Sequence, residues 1–389
     1  LRKIRDSISY FIKETDKILL LLCLITSAFG ILMVHSATRS ALKDGKIVSG
    51  DVRTMVVAVL LGICIALVIS FIDYEAYVKL WPAVAGFGII LMIVVLIFGV
   101  APSSRPDARS WLNLGFFYFQ PSELLKFLFI ITFSVHINAV KDNISSLKNV
   151  VLLGLHALVP VGLVMKSGDD GSALIFILIT ICMIFIAGIN WKYLFAGCIV
   201  ALTAIPLVWV KLNNFQKERF IVIVHPELYP NTAYQQDMSL SAIGSGGFFG
   251  QGIFSGTYTQ NRRVPENQND FIFSVIGEEM GLIGAIFALV LLLLIIFRII
   301  QTGKRANSDL ANFICYGTGA MIAMQAFINI AMCLRLGPVI GITLPFFSAG
   351  GSSSLCLYFG IGIILSIYRS THNQKVTSYR VRSIRSPFM

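Results

Sequence analysis

Ten long apolar stretches separated by polar breaks run along this chain, at 18–34, 54–72, 80–100, 124–140, 150–165, 172–189, 193–210, 271–300, 311–334 and 352–367. Each is long enough to be read as a membrane-crossing helix. The stretch at 150–165 is short and carries Pro160. The one at 271–300 exceeds an upright crossing, so it tilts or projects above the membrane. The pattern predicts an all-α integral membrane protein of ten helices, a single polytopic unit over 1–389 with both termini on one side. No internal repeat is evident, so an inverted-repeat transporter gains no support.

Composition supports this reading. Residues are 56% hydrophobic and 13% charged, with a mean hydropathy of +0.80, where a soluble domain is about a quarter charged. The net charge of +11 does not point to nucleic acid, because no soluble basic domain exists to hold it. Lys and Arg instead gather beside the cytoplasmic face and its lipids. The tails 1–17 and 369–389 are both basic, and the breaks on their side (DYEAYVK, KDNISSLKN, NWK) are brief, which predicts cytoplasmic termini. The outer face then carries two long loops, 101–119 and 211–270. The second, between spans seven and eight, far exceeds the ~12–15 residues at which structureless loops become uncommon, so it needs short helices, a function, or both. The seven cysteines all lie in apolar stretches and none forms a CxxC, which predicts neither a zinc site nor a disulfide framework. The chain begins at Leu1, and its basic start reads as the flank of an uncleaved first helix, not as a signal peptide.

Five polar stretches could carry chemistry. In RSWLNLGFFYFQPSELLK, Pro121 suits a first helical turn capped by Gln120 or Phe119. Glu123 and Lys126 then share a face at i and i+3. They are either an ion pair joining two helices or a charged pair lining a polar cavity. Trp111, taken alone, is an interfacial belt residue. In KSGDDG, a helix cap at Asp170 or Asp169 is expected, Asp170 being favoured, with one acid facing a central cavity as the alternative. The glycines of AIGSGGFFGQGIFSG lack the preceding strand of a dinucleotide site and form either a flexible turn or a lid whose amides approach a ligand. In VPENQNDFIFSVIGEE, Asp270 stands where a polar loop meets the apolar stretch. It can cap the helix beginning at Phe271, accept a proton, or hold a divalent cation. Arg262, Arg263 and Glu266 lie close by in sequence, cations there suiting a phosphate-bearing partner. Glu278 and Glu279 would sit ~12 Å below Asp270 along a continuous helix, an expensive depth in lipid. Finally, GPVIGITLPFFSAGGSSS reads as a broken or re-entrant segment, with Ser352 capping the last helix or its free amides facing a phosphate or pyrophosphate.

GSGGFFGQG, VPENQNDFIFSVIGEEMG and LPFFSAGGSS, in that order on ten spans and preceded by RSWLNLGFFYFQPSELLK, resemble the SEDS family of shape, elongation, division and sporulation proteins, the RodA/FtsW/SpoVE group. The resemblance covers 18–368. It implies a peptidoglycan glycosyltransferase that polymerises lipid II at the outer face of the bacterial inner membrane, beside a class B penicillin-binding transpeptidase and among membrane lipids. It assigns the essential loop acid to Asp270, the QPSE acid to Glu123, the nearby lysine to Lys126 and the loop tryptophan to Trp111. Asp169 matches the family's acid between spans five and six, although PDLG is replaced here by GDDG. Arg335 is an added charge without an assigned role. The GSGGFFGQGIFSG form leans towards the elongation branch.

The implied mechanism makes Asp270 the base towards an acceptor sugar hydroxyl, or the ligand of a divalent cation, Mg2+ or Mn2+. Arg109, Trp111, Asp169, Arg262, Arg263, Glu266 and Ser352 are the candidate substrate-binding residues, with Glu123 and Lys126 placed beside Asp270 in the catalytic set. Two rival classes remain at this point. One is a lipid II flippase or ion-coupled transporter, with Glu123, Lys126, Glu278 and Glu279 as a relay. The other is a non-catalytic scaffold for the transpeptidase.

Overall fold

A computed structural model describes residues 15–42, 47–101, 108–115 and 117–385, with side chains described as far as residue 372 except at 208 and 215. Most of the expected N-terminal tail, residues 1–14, lies outside the described residues, as do residues 102–107 and 116 of the first outer loop and residues 386–389 of the last tail.

The first half of the chain forms α1 (Lys17–Arg39), α2 (Gly50–Phe71), a short α3 (Tyr74–Lys79), α4 (Trp81–Phe98), α5 (Pro121–Val140), α6 (Leu147–Lys166), α7 (Asp170–Ile186) and α8 (Trp191–Lys211). Between α4 and α5, the strands β1 (Leu112–Asn113) and β2 (Tyr118–Phe119) make a minimal antiparallel hairpin. The second half forms α9 (Asn214–Val224), α10 (Pro230–Gly246), α11 (Thr257–Gln260), α12 (Ile272–Arg305), α13 (Asp309–Cys333) and α14 (Gly351–Arg385). Among the described residues nine helices are long and apolar enough to cross a membrane, while α7, the expected sixth crossing, is a shorter apolar helix. The long loop folds into α9, α10 and α11; Asn213 and Gln216 close a capping box at the start of α9.

Helix ends meet on two opposite faces. On one, Arg298 Nε donates to Asp16 Oδ2 at 2.7 Å, and Lys141 pairs with Asp309 at 2.5 Å. On the other lie the end of α1, the start of α5, the end of α13 and the start of α14. This second face carries the candidate site. The bundle is built around α14, which is the most buried span and packs most extensively on α2. Small residues permit that approach: a Cβ on Gly62 would fall 2.9 Å from the Tyr358 side chain, and one on Gly362 would fall 2.9 Å from Ala66 Cα. The Tyr358 hydroxyl is buried and satisfied by Ser27 Oγ at 2.9 Å and the Cys23 carbonyl at 3.3 Å.

The expected long crossing at 271–300 is broken. Gly281 adopts φ +64°, ψ −160° inside α12, a conformation open to glycine, so 272–280 and 282–305 are two helices in succession. A break exposes backbone donors and acceptors that lipid cannot satisfy. The GSGGFFGQG segment supplies the partners. Gln251 N–H donates to Glu278 O at 3.0 Å and Gly252 N–H to Glu279 O at 2.9 Å, while Leu282 N–H donates to Gly247 O at 2.9 Å and Ile283 N–H to Phe248 O at 3.3 Å. A Cβ on Gly281 would lie 2.4 Å from Gly250 N, and one on Gly250 would lie 2.1 Å from Glu279 O.

The surroundings of Glu278 and Glu279, which precede the break, also differ from the expectation. Both acids are buried, but not in lipid beneath Asp270. The 272–280 helix runs between two helix ends on one face: the carbonyl before it meets Asn329 near the end of α13, and Glu279 meets Ser36 near the end of α1. Glu278 accepts from Tyr258 N–H at 2.6 Å, Thr259 N–H at 2.9 Å and Thr259 Oγ at 2.6 Å. Glu279 accepts from Ser36 Oγ at 2.6 Å, Phe254 N–H at 3.1 Å and Gln260 Nε2 at 3.1 Å. The two acids therefore hold the loop from 254 to 260 against α12.

Gly281→Ala should lower the apparent melting temperature of the purified protein in detergent, because it adds strain of about 1–3 kcal/mol to a clash with Gly250. A Tm within error of wild type would show that the break does not require glycine.

Candidate active site

Two polar turns on one face hold the candidate residues. The first begins α5. Gln120 occupies the cap position, but its side chain does not cap; Pro121 takes the first turn, where a missing N–H costs nothing. One turn on, Lys126 Nζ donates to Glu123 Oε1 at 2.8 Å, with the lysine 1% and the glutamate 7% exposed. This is the expected i, i+3 pair. At such burial each charge depends on the other, because removing one partner strands the second.

Asp169 braces this turn from α7. Its Oδ2 accepts from Gln120 Nε2 and Ser122 Oγ, each at 2.7 Å, and its Oδ1 accepts from Ser172 N–H at 3.0 Å. Asp169, not the favoured Asp170, is therefore the cap of α7. Asp170 lies in the first turn and accepts from Gln216 Nε2 of α9 at 2.8 Å. The bond from the amide of Ser172, third residue of the helix, is what makes Asp169 the cap. Ser352 is also reassigned. It lies inside the first turn of α14, and its hydroxyl accepts from Gln120 N–H at 2.9 Å.

The second turn carries Asp270, which is half-buried. The cap position of α12 belongs to Phe271, without a side-chain bond, so Asp270 does not cap the helix as expected. The backbone before it is held at three successive carbonyls. Ala349 N–H donates to Gln268 O at 2.9 Å, Ser348 Oγ to Asn269 O at 2.7 Å, and Asn329 Nδ2 to Asp270 O at 2.7 Å. Asn329 is fully buried, and its Nδ2 also donates to Ile342 O at 2.7 Å.

The segment between α13 and α14 joins the two turns. Residues 337–350 are non-helical, as the Pro and Gly pattern predicted. On one side this segment bonds 268–270. On the other it approaches α7, where a Cβ on Gly171 would lie 2.5 Å from Ile340 O. It then leads into α14 and Ser352. Glu123, Lys126, Asp169 and Ser352 are thus gathered at one turn, and Asp270 is coupled to them through this segment.

The remaining candidates go elsewhere. The Arg262 side chain runs to the Ser40 carbonyl at the end of α1, and the Arg263 guanidinium lies 5.6 Å from the centre of the Tyr258 ring. Both are exposed. Glu266 accepts from Asn269 Nδ2 at 2.9 Å, just before Asp270. Trp111 exchanges backbone bonds with Val100 at 2.8 and 3.3 Å, and Arg109 is exposed beside it. Arg335 acquires a partner in Asp237 of α10 at 2.8 Å. Among the described residues no group of three or more His, Cys, Asp or Glu could hold a metal ion. The donor set at Asp270 is one carboxylate, which fits an ion whose shell is completed by water and substrate phosphates rather than a closed protein site.

Sequence reasoning missed Asn329, Ser348 and Ser122, and gave Gln120 only as a helix cap. The available signal was an amide within an otherwise apolar crossing, as at Asn329; such residues seldom go unpartnered in a membrane.

A family model described as a cell cycle protein family, FtsW/RodA/SpoVE, matches residues 16–373. This chain belongs to the FtsW/RodA/SpoVE family. A probable peptidoglycan glycosyltransferase FtsW of Trichlorobacter lovleyi is 32% identical over 91% of this chain and 93% of its own length. The peptidoglycan glycosyltransferase MrdB of Escherichia coli K12 is 30% identical, covering 93% of this chain and 95% of its own. Identity at this level does not separate the FtsW and RodA branches. Among solved structures, a chain of a peptidoglycan synthase complex that coordinates polymerization and crosslinking superposes with a TM-score of 0.78 at 27% identity, covering 92% of this chain and 98% of that one. The rod shape determining protein RodA of Thermus thermophilus gives 0.68 at 26% identity with the same coverage.

Lys126→Met should be strongly destabilising, by about 3–5 kcal/mol, because it leaves Glu123 buried without its partner, and Glu123→Gln on top of it should recover much of the loss. Thermal unfolding of the two variants in detergent tests this; equal loss in the single and double variants would refute the pairing argument.

Proposed function

We propose that this chain is a peptidoglycan glycosyltransferase that polymerises lipid II into glycan strands, with Asp270 as its catalytic carboxylate. The observation that carries the assignment is the seat of Asp270: a half-buried acid at the end of the bundle, following two residues whose carbonyls, like its own, each accept a bond from the 348–349 turn or Asn329. A reacting carboxylate needs such fixed geometry, because small misplacements are costly in rate. The names of relatives covering nine-tenths of the chain support the activity.

In this reading Asp270 removes the proton from the acceptor sugar hydroxyl, which attacks the anomeric carbon of the donor as the lipid pyrophosphate departs. Lys126, held by Glu123, supplies a fixed positive charge at the neighbouring turn, where Asp169 and Ser352 set the local backbone. Arg109, Trp111, Arg262, Arg263 and Glu266 are the proposed substrate-binding residues outside these two turns, and the exposed guanidiniums suit pyrophosphate. A divalent cation, Mg2+ or Mn2+, would be held by Asp270 and would supply charge neutralisation of the leaving pyrophosphate.

The face carrying the site is the extracytoplasmic face of the bacterial inner membrane, in keeping with the basic tails on the other side. A class B penicillin-binding transpeptidase is the partner; the likeness to a chain of a synthase complex supports this. The relay of a transporter is disfavoured because Glu278 and Glu279 are committed to loop amides.

Asp270→Asn should reduce lipid II polymerisation by roughly 10²–10⁴-fold while leaving the protein folded, and EDTA should reproduce the loss in wild type. Gel analysis of glycan strands made by the protein co-purified with its transpeptidase measures both. Wild-type strand formation by Asp270→Asn would move the catalytic acid elsewhere.

A further inference from the structure

The Asp270 turn is held by side chains that belong to two other elements, and this points to residues that act on the reaction without touching substrate. Asn329 is the central one. It lies in α13, is fully buried, and donates to two carbonyls from different segments, Asp270 O and Ile342 O, both at 2.7 Å. Its Nδ2 is thereby committed on both hydrogens. Ser348 repeats the arrangement one residue earlier: its hydroxyl donates to Asn269 O at 2.7 Å and accepts from Leu344 N–H at 2.8 Å. Each side chain bridges the turn before α12 and the segment before α14.

These bonds satisfy carbonyls of irregular backbone, and they also fix where that backbone lies. Helix α12 begins without any side-chain cap, at Phe271, so the bonds to 268–270 serve the turn and not the helix. The same segment continues through Thr343 Oγ, 3.2 Å from Ser353 Oγ, into the start of α14, where Ser352 accepts the Gln120 N–H of the Glu123–Lys126 turn. Two polar turns that are distant in sequence therefore share one frame.

We propose that Asn329 and Ser348 are positioning residues that set the place of the Asp270 carboxylate relative to the Glu123–Lys126 turn. The inference rests on Asp270 being the catalytic carboxylate. Loss of either bridge lets the Asp270 backbone relax, and a displacement near 1 Å costs on the order of 10²-fold in rate. Binding of the lipid-linked substrate uses other surfaces and changes little.

The test compares Asn329→Leu, Asn329→Ser and Ser348→Ala with wild type and Asp270→Asn, each purified with the transpeptidase partner. Leu keeps the volume but removes both donors, and Ser retains one hydroxyl donor. The expected result is a fall in kcat of roughly 10-fold or more for Asn329→Leu, partial recovery in Asn329→Ser, and KM for lipid II within about twofold. The acid limb of the pH–rate profile should also move in Asn329→Leu, which a purely structural defect would leave in place. If Asn329→Leu does not fold, Ser348→Ala carries the same comparison from the other bridge. Folded variants with wild-type kcat, or with a loss confined to KM, overturn the proposal. Failure of the parent assignment reads differently, because Asp270→Asn would then polymerise lipid II normally whatever the Asn329 variants do.

Discussion

Unpaired backbone groups cannot be left in a membrane, and the site face of this protein is organised by that constraint. The break at Gly281 frees carbonyls of Glu278 and Glu279 and amides of Leu282 and Ile283. The 247–252 turn answers all four with groups of matching sense. Once this turn is committed, the chain after it has little choice of path. The carboxylates of Glu278 and Glu279 then gather the amides of 254, 258 and 259. A loop that would otherwise be loose over a lipid surface is bonded from 247 to 260, and it delivers the Asp270 turn at the end of the bundle.

A second frame meets the first at that turn. The non-helical segment before α14 bonds residues 268–270 on one flank and lies against the start of α7 on the other. Irregular backbone survives at membrane depth only where protein surrounds it, and here Asn329, Ser348 and the first turn of α14 surround it. The consequence is chemical. A half-buried carboxylate at Asp270 and a buried ion pair at Glu123 and Lys126 come from different parts of the chain, yet they are referred to one rigid piece of backbone. Electrostatic catalysis works through charges held in place before the reaction begins.

The polar residues of the site face divide by what they touch. Asp169, Gln120, Ser122 and Ser352 bond each other's elements, and so do Asn329 and Ser348 with the Asp270 turn. Arg262 and Arg335 hold surface connections, to Ser40 and Asp237. Ion pairs as exposed as Arg335 with Asp237 contribute little stability, whereas the Glu123–Lys126 pair is one that cannot be half removed.

Much of this was legible in the order of residues. Continuous apolar stretches mark membrane helices because lipid imposes a length and a polarity on every crossing. The spacing of Glu123 and Lys126 marks a pair because three residues place two side chains on one helical face. The motifs around Asp270 mark the family, and Pro and Gly between 337 and 350 mark a broken segment. Partner choice was not legible. Nothing local says that Asp169 rather than Asp170 caps α7, that Ser352 receives the Gln120 amide, that Gly281 among the chain's many glycines takes a positive φ, or that Glu278 and Glu279 face a loop instead of lipid. Those outcomes depend on groups tens to hundreds of residues away. A buried polar group is decided by whichever partner the fold brings within hydrogen-bonding distance, and only the tertiary structure supplies that partner.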